Sequence, residues 1–143
     1  MTAGALVDTG FLVALFRRND TLRNAAREYI REHTHALATV APVIVEACFF
    51  LDPRTKSDLL EWVIRGALSV ADVPVDAYPE IRATFVKYAD RDIDFADAAL
   101  LWLGSVSGCR RILTVDAKDF QVLKLKGNKR FEIVPWMSKH KRA

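Results

Sequence analysis

The chain alternates short, almost wholly apolar runs with longer stretches in which apolar residues return every three or four positions. GALVD (4–8) predicts a buried strand, and TGFLVALFRR follows at once as a helix. In TLRNAAREYIREH (21–33), Leu22, Ala25, Ala26, Tyr29 and Ile30 share one face, the spacing of an amphipathic helix. HALATV (35–40) predicts a second strand, and Pro42 suits the first turn of a helix over PVIVEACFFL. SDLLEWVIRGA (57–67) predicts a further helix capped by Ser57 or Asp58. LSVADV (68–73) predicts a third strand; DAYPEIRATFVKYA (76–89) and DFADAALLWLGSVSG (94–108) predict two helices. RRILTV (110–115) predicts a fourth strand and RFEIV (130–134) a weaker fifth.

Strands separated by helical crossovers predict one α/β domain over residues 1–136, with 137–143 as a basic tail. Its core would be a mainly parallel sheet of four to five strands flanked by helices, an α/β/α sandwich. Ligands of such sheets bind outside the carboxyl ends of the strands, where the winding direction switches. Residues at those ends therefore carry the functional reading.

Composition leaves this picture intact: 143 residues, 51% hydrophobic and 27% charged, describe an ordinary globular chain. No apolar stretch has the length of a membrane span and the start lacks a signal-peptide pattern, so a cytoplasmic location without membrane contact is expected. Cys48 and Cys109 lie far apart in no metal-binding spacing and read as inert thiols. Charge is lopsided. Residues 1–109 hold 11 Lys/Arg against 15 Asp/Glu, whereas residues 110–143 hold 10 against 3. The basic end suits a polyanion or a solvated tail.

Four acids interrupt four apolar segments. Asp8 closes the first strand and Asp116 the fourth; Glu46 is the lone charge in APVIVEACFF, and Asp97 sits in the first turn of an otherwise apolar helix. Each alone has a structural explanation: a helix cap for Asp8, a basic partner for Glu46, a cap shared with Asp94 for Asp97, a turn for Asp116. Together they place carboxylates on one edge of the sheet. Such a set repels itself unless it takes up protons or a cation. All-oxygen donors suit Mg²⁺ or Mn²⁺ rather than Zn²⁺, and His33, His35 and His140 have no ligand partner at useful spacing. One or two such ions activate water and neutralise the charge of a phosphodiester under in-line attack. The reading is metal-assisted phosphodiester hydrolysis.

The strings LVDTGFLVALF, VIVEACFFL, DFADAALLWLG and ILTVDAKDF, in that order, resemble those of the PIN-domain nucleases, and within them the VapC-like toxins of type II toxin–antitoxin pairs. The resemblance spans nearly the whole chain. It implies a PIN-like fold in which Asp8, Glu46, Asp97 and Asp116 are the catalytic and metal-binding acids. It also implies supporting roles for Thr9, Thr114 and the extra carboxylate Asp119, while Asp94 caps its helix. It further implies an endoribonuclease with RNA as substrate, a cognate antitoxin as partner, and a homodimer. Ala41 and Val115 stand where polar residues are common in relatives. Arg110, Arg111 and Lys118 are expected to bind RNA beside the acids, with Lys124, Lys126, Lys129 and Arg130 as further candidates.

The alternatives are an RNA-processing PIN nuclease without an antitoxin and, in another class, a Mg²⁺-dependent phosphatase or phospho-acceptor domain. Gly10 stands where such a phosphatase needs its second aspartate, and FEIVPW lacks the lysine of a receiver domain.

Overall fold

Val7 ends the innermost strand, and everything that matters for the site is arranged around it. The computed structural model describes residues 3–137. Strand β1 (Ala5–Val7) leads into α1 (Thr9–Phe16) and α2 (Arg23–Glu32); β2 (Leu37–Val40) leads into α3 (Ala41–Cys48) and α4 (Pro53–Ile64). After β3 (Ser69–Ala71), a 3₁₀ turn (Val75–Ala77) enters α5 (Tyr78–Lys87), followed by α6 (Phe95–Ser107) and β4 (Arg111–Leu113). The chain closes with α7 (Ala117–Val122), a small hairpin of β5 (Lys124–Leu125) and β6 (Lys129–Arg130), and β7 (Glu132–Ile133).

The main sheet has five parallel strands in the order β3-β2-β1-β4-β7. Leu6 pairs with Ala38 on one side and Ile112 on the other. The chain winds outward to β3 on one side and to β7 on the other, so the switch in direction falls between β1 and β4. Asp8 follows β1 directly, and Asp116 stands three residues beyond the end of β4. The sandwich expected from the alternation of runs is therefore present, with five strands in its sheet.

The core explains the apolar runs. Leu6, Phe11, Leu12, Leu100, Ile112, Leu113 and Phe120 are fully buried. Ala98 and Ala99 on α6 are fully buried, and Gly104 lets the helix lie close to the hairpin, since a β-carbon there would meet Leu125 Cδ2 at 2.5 Å. Trp136 packs edge-on against Phe11 at 4.8 Å, and its indole N–H donates to the Thr114 carbonyl at 3.0 Å. That bond ties the end of the domain to the segment carrying Asp116.

Several boundaries differ from those expected. Helix α4 begins at Pro53, not after Ser57 or Asp58: Asp52 accepts from Thr55 N–H at 2.8 Å and Thr55 Oγ1 at 2.9 Å, with proline in the first turn. The helix expected over 76–89 splits into the 3₁₀ turn and α5. Arg130 belongs to the hairpin, whose turn uses Gly127 and Asn128 at φ 79° and 60°, leaving β7 only two residues. Gly108, at φ 78°, ends α6 as its left-handed cap. His140 and the basic tail after Met137 lie outside the described residues.

Candidate active site

Asp8 stands at the carboxyl end of β1 and caps α1, and both its oxygens are bonded. Oδ1 accepts from Thr9 N–H at 2.8 Å and Oδ2 from Thr114 Oγ1 at 2.8 Å. At 4% exposure it is the deepest of the acids. Thr114 does two jobs with one hydroxyl: it donates to Asp8 and accepts from Asp116 N–H at 2.9 Å. Across the groove Thr9 Oγ1 donates to Glu46 Oε1 at 3.0 Å, linking α1 to α3. Asp97 enters from the first turn of α6, where Asp94 Oδ1 accepts its N–H at 2.8 Å. Gly10 keeps this corner closed, since a β-carbon there would lie 2.3 Å from Val115 Cγ2.

The four acids line one cavity of about 450 Å³. Asp119 lines it too, together with Asp20, Asp92 and Asp94, and Arg17 is the one basic residue in the described lining. The electrostatic consequence is a shared reluctance to ionise. Burial pushes the Asp8 carboxyl up to about 6 against the pull of Thr114 and Thr9, with Asp116 and Asp94 adding repulsion. Asp97 is pushed up to about 8 by burial and by the charges of Asp8 and Asp94. Glu46 is raised by burial and by Asp94, and Asp116 by partial burial, Asp119 and Asp94.

Among the described residues, no group of three or more ligand-type side chains forms a ready-made ion cage. What the groove offers a cation is therefore read from the chemistry of its donors. They are all oxygen, several are desolvated, and in the described lining Arg17 is the one cation against eight acids. Hard divalent cations such as Mg²⁺ or Mn²⁺ fit this set, and soft or nitrogen-preferring metals do not.

Other expected residues fall differently. Arg110 and Arg111, read as phosphate contacts beside the acids, stand at the amino edge of the sheet, remote from the groove. Arg111 bonds the Gly4 carbonyl at 3.5 Å and pairs with Glu132 at 3.8 Å. Strand β4 runs away from them toward Asp116, so nearness in sequence became distance in space. Lys118, in the first turn of α7, is exposed and outside the groove lining. Asp94 caps α6 as expected, yet it also acts on all four acids; its place three residues before Asp97 carried that signal. Asp20 and Asp92 sit in connecting segments where no pattern marks them. His33 stacks on Tyr29, and His35 Nε2 lies 2.7 Å from the Tyr29 hydroxyl.

A parallel sheet with acids from four segments at its switch point defines a class, and residues 5–126 match the PIN domain family model. The chain belongs to the PIN domain family. It is 29% identical over 134 residues to Ribonuclease VapC26 of Mycobacterium tuberculosis (strain ATCC 25618 / H37Rv), spanning 91% of this chain and 99% of the relative. The crystal structure of Mycobacterium tuberculosis VapC20, described as a Sarcin-Ricin loop cleaving toxin, superposes with a TM-score of 0.70 at 20% identity. That match covers 76% of this chain and 86% of the other. A toxin–antitoxin complex from Klebsiella pneumoniae matches with a TM-score of 0.63 at 18% identity over 83% and 92%. These two structures establish the shared fold. No described helix is long and apolar enough to cross a membrane.

Proposed function

We propose that the chain is a Mg²⁺- or Mn²⁺-dependent endoribonuclease of the VapC kind, a toxin held in check by a cognate antitoxin. The reading rests above all on one observation: Asp8, Glu46, Asp97 and Asp116 line a single groove at the switch point of a PIN-domain sheet. The 29% identity to a curated ribonuclease over nearly the full chain supports the choice of RNA.

Asp8, Glu46, Asp97 and Asp116 are the residues that would hold the ion. When bound, the cation supplies a lowered pKa for water and counter-charge for the phosphodiester. The chain's own residues prepare that chemistry. Thr114 and the Thr9 amide fix Asp8 in one orientation and favour its ionised form. Thr9 does the same for Glu46, and Asp94 holds the first turn of α6 so that Asp97 faces the groove. Asp119 adds negative charge at the rim and raises the proton affinity of Asp116.

A protein partner has surface to cover. Phe49 and Phe50 follow α3, with Leu60 and Ile64 on α4; all four are exposed, and Phe50 lines the groove itself. An antitoxin segment seated there would reach the acids, and a homodimer would cover further apolar surface at Val75 and Val86.

The test is cleavage of RNA by the purified chain. Activity should require Mg²⁺ or Mn²⁺, vanish with EDTA, and be lost in Asp8→Asn with unchanged circular dichroism. Retained cleavage by that variant overturns the site. Expression alone should slow growth; harmless expression at high level would favour an RNA-processing nuclease without an antitoxin.

A further inference from the structure

Four cations of the last third of the chain, Arg110, Lys124, Lys126 and Lys129, gather at the far end of α6 from Asp97. A trough of about 300 Å³ is lined by Gly104, Ser105, Arg110, Lys126, Gly127 and Lys129, with no acid in its described lining. It continues into a hollow of about 310 Å³ that shares Ser105 and Lys126 and adds Lys124 and Trp102; Glu80 is the acid on that wall. Among the described residues, Arg110, Lys124, Lys126 and Lys129 have no acidic partner; the neighbouring Arg111 takes Glu132.

Two plain explanations fall short. The carbonyl end of a helix attracts cations, but it amounts to roughly half a negative charge. Arg110, Lys126 and Lys129 exceed that by more than two charges. Nor is this a loose fringe: Ser105 Oγ accepts from Lys126 N–H at 3.1 Å, pinning the hairpin to α6. Gly108 and Gly127, both with positive φ, leave the backbone open on the same face. Exposed cations on a pinned backbone, around a small-residue floor and with an aromatic on the adjoining wall, suit backbone phosphates with bases beside them.

We propose that this trough is a second contact site for nucleic acid, holding backbone phosphates of single-stranded RNA away from the acidic groove. Asp97 and Gly108 are eleven helical residues apart, or about 16 Å at 1.5 Å per residue. A stacked strand rising 3.4 Å per nucleotide covers that span in about five nucleotides. The acids repel the polymer they would cut, and cations one short segment away offset that repulsion. The identity of the polymer rests on the ribonuclease reading; the anion site does not.

The test uses the full chain in EDTA and a labelled 20-nucleotide RNA, followed by fluorescence anisotropy over a range of salt. R110Q/K126Q/K129Q should weaken binding at least tenfold and flatten the slope of log affinity against log salt by about 2, from three contacts at about 0.7 each. R110K/K126R/K129R should restore both. Turnover of bis(p-nitrophenyl) phosphate with Mn²⁺ should stay unchanged, since the groove is untouched. Absence of RNA binding by the wild type, or equal affinity and slope in the glutamine variant, overturns the proposal. So does binding of poly-glutamate in place of RNA, which would assign the trough to an acidic protein segment. If the variant loses RNA binding while the wild type cleaves nothing, the nuclease reading fails and the trough stands. If the wild type cleaves RNA and the variant binds it equally well, the trough fails alone.

Discussion

The two ends of α6 differ in sign and in how that sign is built. At its amino end, acids from four segments face one groove, with Asp8 deeply buried and Asp8 and Glu46 held by threonine hydroxyls. At its carboxyl end, lysines and an arginine stand exposed around glycines, orientated by little beyond one serine bond. Buried like charges store repulsion that a cation can relieve; exposed like charges store almost none and act through long-range attraction. Substitutions at the two ends should therefore fail in different ways: abruptly at the groove, gradually and with salt dependence at the trough.

The largest expected effect is at Asp8. Asp8→Asn should lower RNA cleavage by about 100-fold or more, beyond the cost of disturbing a ligand's support. In metal-free protein at pH 8 it should raise the melting temperature, because the native carboxyl is harder to ionise than in the unfolded chain. Loss of activity with a lower melting temperature would mean a folding defect and break the contrast. Next come the hydroxyls. Thr114→Val and Thr9→Val should each cost about 10- to 100-fold in cleavage or metal affinity, since they orient Asp8 and Glu46 without being ligands. Mn²⁺ titration of each variant checks this.

The smallest effect should be at Arg111. Its partner Glu132 is 3.8 Å away, its bond to the Gly4 carbonyl is long at 3.5 Å and its side chain is substantially exposed, so Arg111→Gln should change stability by about 1 kcal/mol or less. It should leave RNA affinity and its salt slope unaltered. A loss matching that of the trough variant would show that the amino edge attracts RNA through bulk charge, and the trough would cease to be distinct.

How much of this could be read from the sequence follows the same physical divide. A lone acid in an apolar run is conspicuous because burial makes it costly, so Asp8, Glu46 and Asp97 stood out, and alternating strands and helices gave the sheet edge on which they meet. The length of α6 made its boundaries legible down to the Asp94 cap and the Gly108 stop. Helix α7, six residues long, was too short for a periodic signal, and the strands of the hairpin have two residues each. Exposed charges carry no such mark. Arg111 precedes Asp116 by five residues, and extended chain at about 3.3 Å per residue carries it roughly 16 Å to the opposite edge. Asp20 and Asp92 reach the groove from connecting segments whose course no local pattern fixes.

The acids of the groove make the sharpest claim, because their repulsion has a sign in pH. Asp97, at about 8 when folded, and Asp8, at about 6, both lie above the ordinary 3.8. Between the ordinary and the folded values the folded chain binds more protons than the unfolded one, so metal-free stability should fall as pH rises from about 4 to 8. A divalent cation replaces those protons. The decisive measurement is the melting temperature with EDTA and with saturating Mn²⁺ at pH 6 and at pH 8.5. We predict a lower metal-free melting temperature at pH 8.5, with a stabilisation by Mn²⁺ that is larger there and largely lost in Asp97→Asn. Metal-free stability that rises with pH, or a Mn²⁺ effect equal at both pH values and unchanged in Asp97→Asn, would contradict a groove of mutually repelling acids built to hold a cation.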